Sequence, residues 1–361
     1  MTPRILAARR SAVAPQGGAF ARMRIEDMAA PVINAVLQDA GLDAAQVDEV
    51  ICANALGAGG NPARRVALAA GLPERVAGLT IDRQCAGGLD AIVLATALVA
   101  AGHARVVLAG GVESHSLRPL RAMPDPSGGP PVPYDQAPFT PWPDRDPPMA
   151  QAAADLAHRL GISRQDQDLF AAESHRKALA SDAWPEIVPL AGLARDAFTR
   201  PLSPALTGRA RPLAGPITPA NTAVAADAAA FVVVVAEDIA GHRGLRLAGH
   251  ATLGADPVQP GLAPVPAVGR ALSQAGIAAR DLAQAEVMEA YAVQAIACIR
   301  GAGLDPARVN LRGGGLARGH PIAASGAILA VRLFHDLRAG AGLAAIASAG
   351  GIGAAAVLRA D

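Results

Sequence analysis

Two long apolar runs dominate the pattern of this chain. Leu89–Ala101 and Ile322–Leu337 have helical length and few charges, so the sequence predicts buried helices there. The β-like run Gly78-Leu79-Thr80-Ile81 leads into the first, and the glycine-rich stretch Gly313-Gly314-Gly315 leads into the second. Further upstream the two ends of the chain repeat one another. Ala40-Gly41-Leu42-Asp43-Ala44 is followed by Val47–Cys52, and Ala275-Gly276-Ile277-Ala278-Ala279 by Leu282–Val287, each pair reading as a helix end and a short strand. After each buried helix comes a strand ending in Ala-Gly-Gly, at Ala109-Gly110-Gly111 and Ala349-Gly350-Gly351. Strand and helix alternate in both halves, which predicts an α/β protein of duplicated βα layers.

The middle breaks this pattern. Met123–Pro148 is crowded with Pro, Gly and Asp and reads as an extended loop without regular structure. Helical runs follow at about Ala150–Leu160 and Arg164–Ser181, and a second loop, Ala197–Pro219, leads into a strand at Ala229–Ala236.

Composition narrows the class. A chain of 361 residues is too long for one simple core and suits two or three packed subdomains. Aromatics make up only 3%, and the abundant Ala and Gly predict tightly approaching layers. With 32 basic and 31 acidic residues and no basic stripe, nothing points to nucleic acid. The N-terminus lacks a signal-peptide hydrophobic region, and no run of about 18 apolar residues reads as a membrane span. A soluble cytoplasmic protein is the expectation. The three Cys, at 52, 85 and 298, form no disulfide framework and no metal-binding pair.

Cys85 stands out among them. It lies in Asp82-Arg83-Gln84-Cys85-Ala86-Gly87-Gly88-Leu89, at a strand-to-helix turn. Free N–H groups and the helix dipole favour a thiolate there, and Gly87 and Gly88 leave room for a substrate. A free Cys is more often a buried structural thiol, and from this segment alone the two readings stand level. His320 tips the balance. It is presented in Gly319-His320-Pro321 at the start of the second buried helix, with Pro321 suited to the first turn, and is a candidate base for the thiol. Their pairing is a claim about the fold.

These segments, taken together, resemble the thiolases, acyltransferases that make and break 3-ketoacyl-CoA. The match covers nearly the whole chain. It runs through Asn61-Pro62-Ala63-Arg64, Gln84–Leu89, Ala109–Ser114, Ile162–Asp168, Pro264–Ala267, Glu289–Ala292 and Gly319–Pro321, in shared order and spacing. The resemblance implies α-β-α-β-α layers with an inserted loop or lid region that helps hold CoA. Its partition is an N-terminal half at 1–118, an inserted loop domain at 119–225, return strands of the N-terminal half at 226–255 and a C-terminal half at 256–361. The proline-rich part of the insert resembles no tetramer-forming hairpin. The family also implies a homodimer joined at the edge of the N-terminal sheet, a coenzyme A thioester as substrate and no permanently bound cofactor or metal.

For the site, the resemblance makes Cys85 the nucleophile and His320 its base, with backbone N–H groups of Cys85 and Ala349 as the oxyanion hole. Two family positions are altered. Ala347 stands where the family has a second catalytic Cys, the base for carbon–carbon bond formation, and Ser348 next to it is expected to face the other way along a strand. Met288 replaces the Asn of the family's Asn-Glu-Ala-Phe and reads as a packing or pocket-lining residue. The acylation half therefore looks intact and the Claisen half damaged. The function expected is a thiolase-like acyl-CoA acyltransferase acting through acyl-Cys85. The alternatives are a diverged acyltransferase or thioesterase without Claisen activity, and a non-catalytic acyl-CoA-binding subunit. Asp82, Arg83 and Glu113 are expected in a buried charge network and Glu289 as a structural hydrogen-bonder, with a substitute base as its alternative role. His115, His158, His175, His242 and His335 are expected in solvent, and Cys52 and Cys298 in the core.

Overall fold

The computed structural model describes residues 2–181 and 183–360; Met1 and Asp361, the ends of the first and last expected segments, lie outside the described residues. The N-terminal part runs β1 (Arg4–Ser11), β2 (Ala14–Pro15), α1 (Ile25–Ala40), β3 (Glu49–Ala53), α2 (Pro62–Ala69), β4 (Ala77–Ile81), α3 (Gly87–Ala100) and β5 (Val106–Glu113). The middle holds β6 (Arg121–Met123), β7 (Val132–Tyr134), α4 (Met149–Leu160), α5 (Arg164–Leu179), β8 (Ile187–Val188), α6 (Pro204–Arg209), β9 (Ala226–Val235) and α7 (Glu237–Ala240). The C-terminal part runs β10 (Arg246–Gly254), α8 (Pro264–Ala275), β11 (Gln284–Val287), α9 (Ala292–Gly301), α10 (Gly315–Arg318), α11 (Ile322–Asp336), β12 (Gly340–Ser348) and β13 (Ile352–Ala360).

Local sequence explains where these elements begin. Asn61 caps α2, its side chain accepting the Arg64 N–H, and Pro62 takes the first helical position, where a missing N–H costs nothing. Ser163 and Asp166 form a reciprocal capping box at the start of α5. The continuous apolar run of β9 is buried along its whole length, as a central strand covered on both faces requires.

Strands assemble into two main sheets. The first has the order β4-β3-β5-β9-β1-β8, with β2 added on β9, and the second has the order β10-β13-β12-β11. Helices α1 and α2 cover the outer face of the first sheet, and α8 and α9 that of the second. Between the sheets lie α3 and α11, packed on each other and on both. The layers therefore alternate as the sequence predicts. Helix α11 is apolar nearly all round because protein encloses it, whereas α3, expected to be buried throughout, leaves Leu94 on one face 41% exposed.

The small residues let this sandwich close. A Cβ on Gly88 would stand 2.7 Å from the Ala323 carbonyl oxygen and the Ala327 nitrogen, and one on Gly326 2.7 Å from the Leu89 nitrogen. On β5, a Cβ on Gly111 would stand 2.3 Å from the Ala323 oxygen. Backbone touches backbone at each point.

Beside the C-terminal part of α11 lies a buried charge cluster. The Arg10 side chain, fully enclosed, pairs with Asp196 at 2.7 Å and Glu186 at 3.3 Å. Arg332, equally enclosed, faces Glu186 at 3.6 Å and Glu286 at 3.5 Å, and Trp184 lies under the guanidinium groups of Arg10, Arg312 and Arg332.

Several expectations are corrected. Strand β10, placed among the return strands at 226–255, pairs with β13 in the second sheet, so only β9 returns to the first. The stretch after Met123 is not wholly irregular. An antiparallel ribbon, β6–β7, opens it, pinned by Arg118 to Asp135 at 3.2 Å and by Arg121 to the Ala55 carbonyl at 3.1 Å. The loop at 197–219 contains α6, started by a Ser203 cap and Pro204. The two Ala-Gly-Gly segments differ: β5 continues through Gly110-Gly111, whereas β12 stops at Ser348, and Gly350 and Gly351 turn at φ of +74° and +76°.

The Gly111 contact is testable. Gly111→Ala forces a methyl group against the Ala323 carbonyl and should lower unfolding stability by about 1–3 kcal/mol, read from urea denaturation. An unchanged midpoint would show that β5 and α11 stand farther apart.

Candidate active site

Cys85 is held by a short turn between β4 and α3. Asp82 Oδ1 accepts the Gln84 N–H at 2.8 Å, and Gln84 adopts a left-handed φ of +49°, uncommon for a residue with a side chain. One 3₁₀ turn, Gln84–Ala86, then feeds the helix. The N–H groups of Cys85 itself and of Ala349 both point to the Cys85 sulfur.

His320 arrives from the other half. Gly319 enters with φ +111°, and the His320 N–H donates to the Val224 carbonyl at 2.8 Å, which anchors the loop to the segment before β9. Pro321 caps α11 instead of occupying its first turn. Nδ1 of His320 lies 2.7 Å from Ser325 Oγ, and that hydroxyl donates to the Pro321 carbonyl at 3.0 Å. The hydroxyl proton is thus engaged, so Ser325 accepts from Nδ1–H. Nε2 is then free to accept a proton, and it stands 3.1 Å from Cys85 Sγ. The fold makes the pairing that sequence alone left open.

The electrostatics reverse one expectation. The helix start was expected to depress the Cys85 thiol. Burial wins: it pushes the thiol up to about 12, against the opposing N–H groups of Cys85 and Ala349. Burial likewise lowers His320 to about 3, with the His115 and Arg318 charges adding to the effect. The pair rests uncharged, as S–H···N.

Around the pair the other expected residues sort themselves. Ala347 and Ala349 line the cavity that holds Cys85 and His320. Ser348 borders it too, but its hydroxyl donates to the Arg83 carbonyl at 3.0 Å. Met288 is buried in the core, 1% exposed, against Gly315, and packs without lining the cavity. Glu289 accepts from Ser174 Oγ, Asn310 Nδ2 and the Leu316 N–H, under the loop that carries His320, in keeping with a structural role.

Asp82, Arg83 and Glu113 do not form one network. Asp82 caps the Gln84 turn, Arg83 pairs with Asp90 at 3.0 Å, and Glu113 is enclosed elsewhere. The Glu113 carboxylate accepts from Asn54 Nδ2 and the Ala55, Leu56 and Ala323 N–H groups, with burial raising it to about 7. Of the histidines placed in solvent, His158 and His242 are exposed, but His115 and His175 are buried and His335 binds the Ala8 carbonyl at 2.7 Å. Cys52 and Cys298 are core residues. Among the described residues no cluster of three or more His, Cys, Asp or Glu could hold a metal ion.

The cavity encloses about 210 Å³. Its far wall is the inserted region: Phe139 from the loop, and Met149, Ala152 and Leu156 from α4. Thr222, Tyr291 and Gln294 also line it, and sequence reasoning assigned them no part. A signal existed for one of them. Gln294 lies three residues after Tyr291 at the start of a helical run, hence on the same face. Ser325, which fixes the His320 tautomer, gave none.

Comparisons with known proteins cover the chain with two family models. The model of the thiolase N-terminal domain matches residues 4–238, and that of the thiolase C-terminal domain matches residues 244–360. A putative acetyl-CoA C-acetyltransferase of Bacillus subtilis is 39% identical over 373 residues, covering 97% of each chain. An acetyl-CoA acetyltransferase of Pseudomonas aeruginosa is 36% identical over 395 residues, covering 99% of each. Among solved structures, the Bacillus anthracis acetyl-CoA acetyltransferase superposes with a TM-score of 0.92 at 30% identity, over 100% of this chain and 99% of that one. A thiolase of Ascaris suum in complex with coenzyme A gives 0.92 at 29% identity over 100% of both.

An uncharged Cys85–His320 pair has a signature in alkylation. Iodoacetamide should label Cys85 at a rate that changes by less than about twofold from pH 6 to 9, because attack from the uncharged pair passes the thiol proton to His320 Nε2 and needs no prior loss of a proton to solvent. A free thiol instead gains about tenfold per unit below its pKa of about 8.5. Mass-spectrometric labelling rates at Cys85 that climb in that way would show a thiol titrating independently of His320.

Proposed function

This chain belongs to the thiolase family, and on that premise we propose that Cys85 is the acyl-accepting nucleophile and His320 the base that takes its proton. The protein is a thiolase-family acyl-CoA acyltransferase, with a coenzyme A thioester as substrate. The observation that carries the site assignment is the 3.1 Å contact between Cys85 Sγ and an unprotonated His320 Nε2.

The acylation step follows from that geometry. As Sγ attacks the thioester carbonyl, its proton passes to Nε2. The carbonyl oxygen becomes an oxyanion, and the N–H groups of Cys85 and Ala349, which lie against the sulfur, would donate to it. Collapse of the adduct breaks the bond to the CoA sulfur, which leaves with the proton from Nε2. The products are acyl-Cys85 and free CoA. An imidazolium formed in so buried a place is a strong acid and returns its proton readily.

Transfer from acyl-Cys85 to a carbon acid is the weaker half. Ala347 presents a methyl group to the cavity where the family has its second catalytic Cys, and buried Met288 offers no polar donor. These two positions favour an acyltransferase whose carbon–carbon step is slow, or whose acceptor arrives already activated. The partition into N-terminal half, inserted region and C-terminal half belongs to the same reading, with the second boundary moved to precede β10. So does a homodimer. β4 is an edge strand of the first sheet and leaves Leu79 exposed, the kind of edge that a second copy would cover. Leu79→Lys should then shift the protein toward monomer in sedimentation; a wild type that already sediments as a monomer would remove the dimer.

Acylation can be followed directly. Wild type mixed with acetyl-CoA should carry one acetyl group on Cys85 by mass spectrometry, and His320→Ala should slow its appearance by about 10²-fold or more. Equal rates would take His320 out of the step. Ala347→Cys with Met288→Asn should raise thiolysis of acetoacetyl-CoA. A wild type already at ordinary enzymatic rates of about 1–10³ s⁻¹ would mean that another residue supplies the carbon base.

A further inference from the structure

Tyr291 brings to the cavity a hydroxyl that the acylation step does not use. It ends the segment Met288-Glu289-Ala290-Tyr291, where the family pattern has Asn-Glu-Ala-Phe, so the phenol oxygen is an addition to that pattern. The side chain is half-buried and lines the same cavity as Cys85 and His320. Among the described residues no protein group hydrogen-bonds the phenol oxygen. Burial and the charge of a Cys85 thiolate push the phenol up to about 12, so it keeps its proton and serves as a donor.

The backbone sets where that donor stands. Thr222 pairs with Tyr291 and Ala225 with His320, and between them the Val224 carbonyl accepts the His320 N–H at 2.8 Å. One short segment therefore carries both the phenol and the imidazole. The Cys85 and Ala349 N–H groups come from elsewhere, the turn before α3 and the turn after β12. The His320 Nδ1–H faces Ser325, so the imidazole offers the cavity a lone pair and the phenol offers it a proton. Once Cys85 is acylated, Nε2 has lost its thiol partner. An acceptor carbon that reaches the acyl carbon on Sγ also comes within reach of Nε2, which stands 3.1 Å from that sulfur.

We propose that Tyr291 is a catalytic residue of the carbon–carbon step, its hydroxyl donating a hydrogen bond to the acceptor thioester oxygen while His320 Nε2 takes the proton from the acceptor α-carbon. The C–H electron pair moves into an enolate, whose oxygen keeps the Tyr291 hydrogen bond. The enolate carbon attacks the acyl carbonyl, the bond to Sγ breaks, and the Cys85 thiolate recovers the proton from Nε2. A 3-ketoacyl-CoA leaves, and the S–H···N pair is restored. Two groups already in the cavity thus cover what Ala347 and Met288 lack, and a base as weak as buried His320 keeps the step slow. The proposal rests on the reading of Cys85 as the acyl-accepting residue.

The test is deuterium uptake into the methyl group of acetyl-CoA in D₂O, which reports removal of the α-proton, with acetyl-Cys85 formation measured alongside by mass spectrometry. Wild type should exchange the methyl protons faster than an enzyme-free blank. Tyr291→Phe removes one oxygen atom and should slow exchange relative to acetylation by about tenfold or more. His320→Ala, given time to become acetylated, should exchange no faster than the blank, which keeps the test open should the first variant misfold. A merely structural phenol would leave the ratio of exchange to acetylation intact in Tyr291→Phe and overturn the proposal. Exchange that persists in acetylated His320→Ala would overturn it too. So would a wild type that acetylates Cys85 without exchange, with Cys85 still supported as the nucleophile. No acetylation of wild type would overturn both readings.

Discussion

The contact between α3 and α11 is the constraint on which the site depends. These helices come from opposite halves of the chain, and each carries one member of the Cys85–His320 pair at its start. Gly88 and Gly326 let the two backbones meet, and Gly111 lets α11 lie directly on β5. Were the helices held apart by even one methyl layer, the separation of 3.1 Å between sulfur and imidazole would be lost. The abundance of small residues is therefore a condition of the chemistry as well as of packing.

Burial settles the character of the pair. A helix start and two N–H groups draw the thiol toward its anion, but enclosure by protein outweighs them. The same enclosure keeps His320 neutral and its Nε2 unprotonated. Two uncharged groups in hydrogen-bond contact can exchange a proton when a substrate arrives, with no charge to desolvate beforehand. Ser325 and the Pro321 carbonyl complete the arrangement by fixing which ring nitrogen carries the proton.

Much of this was legible in the sequence. The alternation of strand and helix, the two buried runs and the segments around Cys85 and His320 gave the layers and the candidate pair, because local pattern encodes them. What escaped depends on encounters between distant segments. β10 follows β9 closely in the chain, yet it finds β13, near the other terminus. The ribbon β6–β7 is short and rich in proline, and it is held by Arg118 and Arg121 instead of by its own pattern. His115 and His175 look like surface residues until other elements close over them. The thiol shift was misjudged for the same reason: the helix dipole can be read locally, whereas desolvation belongs to the whole fold. Tyr291 gained meaning only once the cavity existed.

The charge cluster around Trp184 has a consequence for how this protein can diverge. Arg10 lies on β1, Glu186 just before β8, Glu286 on β11 and Arg332 on α11, so the cluster joins segments scattered across the whole chain. Removing one partner of such a buried set strands an opposite charge, at a cost of about 3–5 kcal/mol, whereas replacing the set together with apolar side chains can be neutral. Single-residue drift is therefore blocked at these positions, and descendants can leave this arrangement only by several coordinated substitutions. Substitutions at positions far apart in the chain are thereby made to depend on one another.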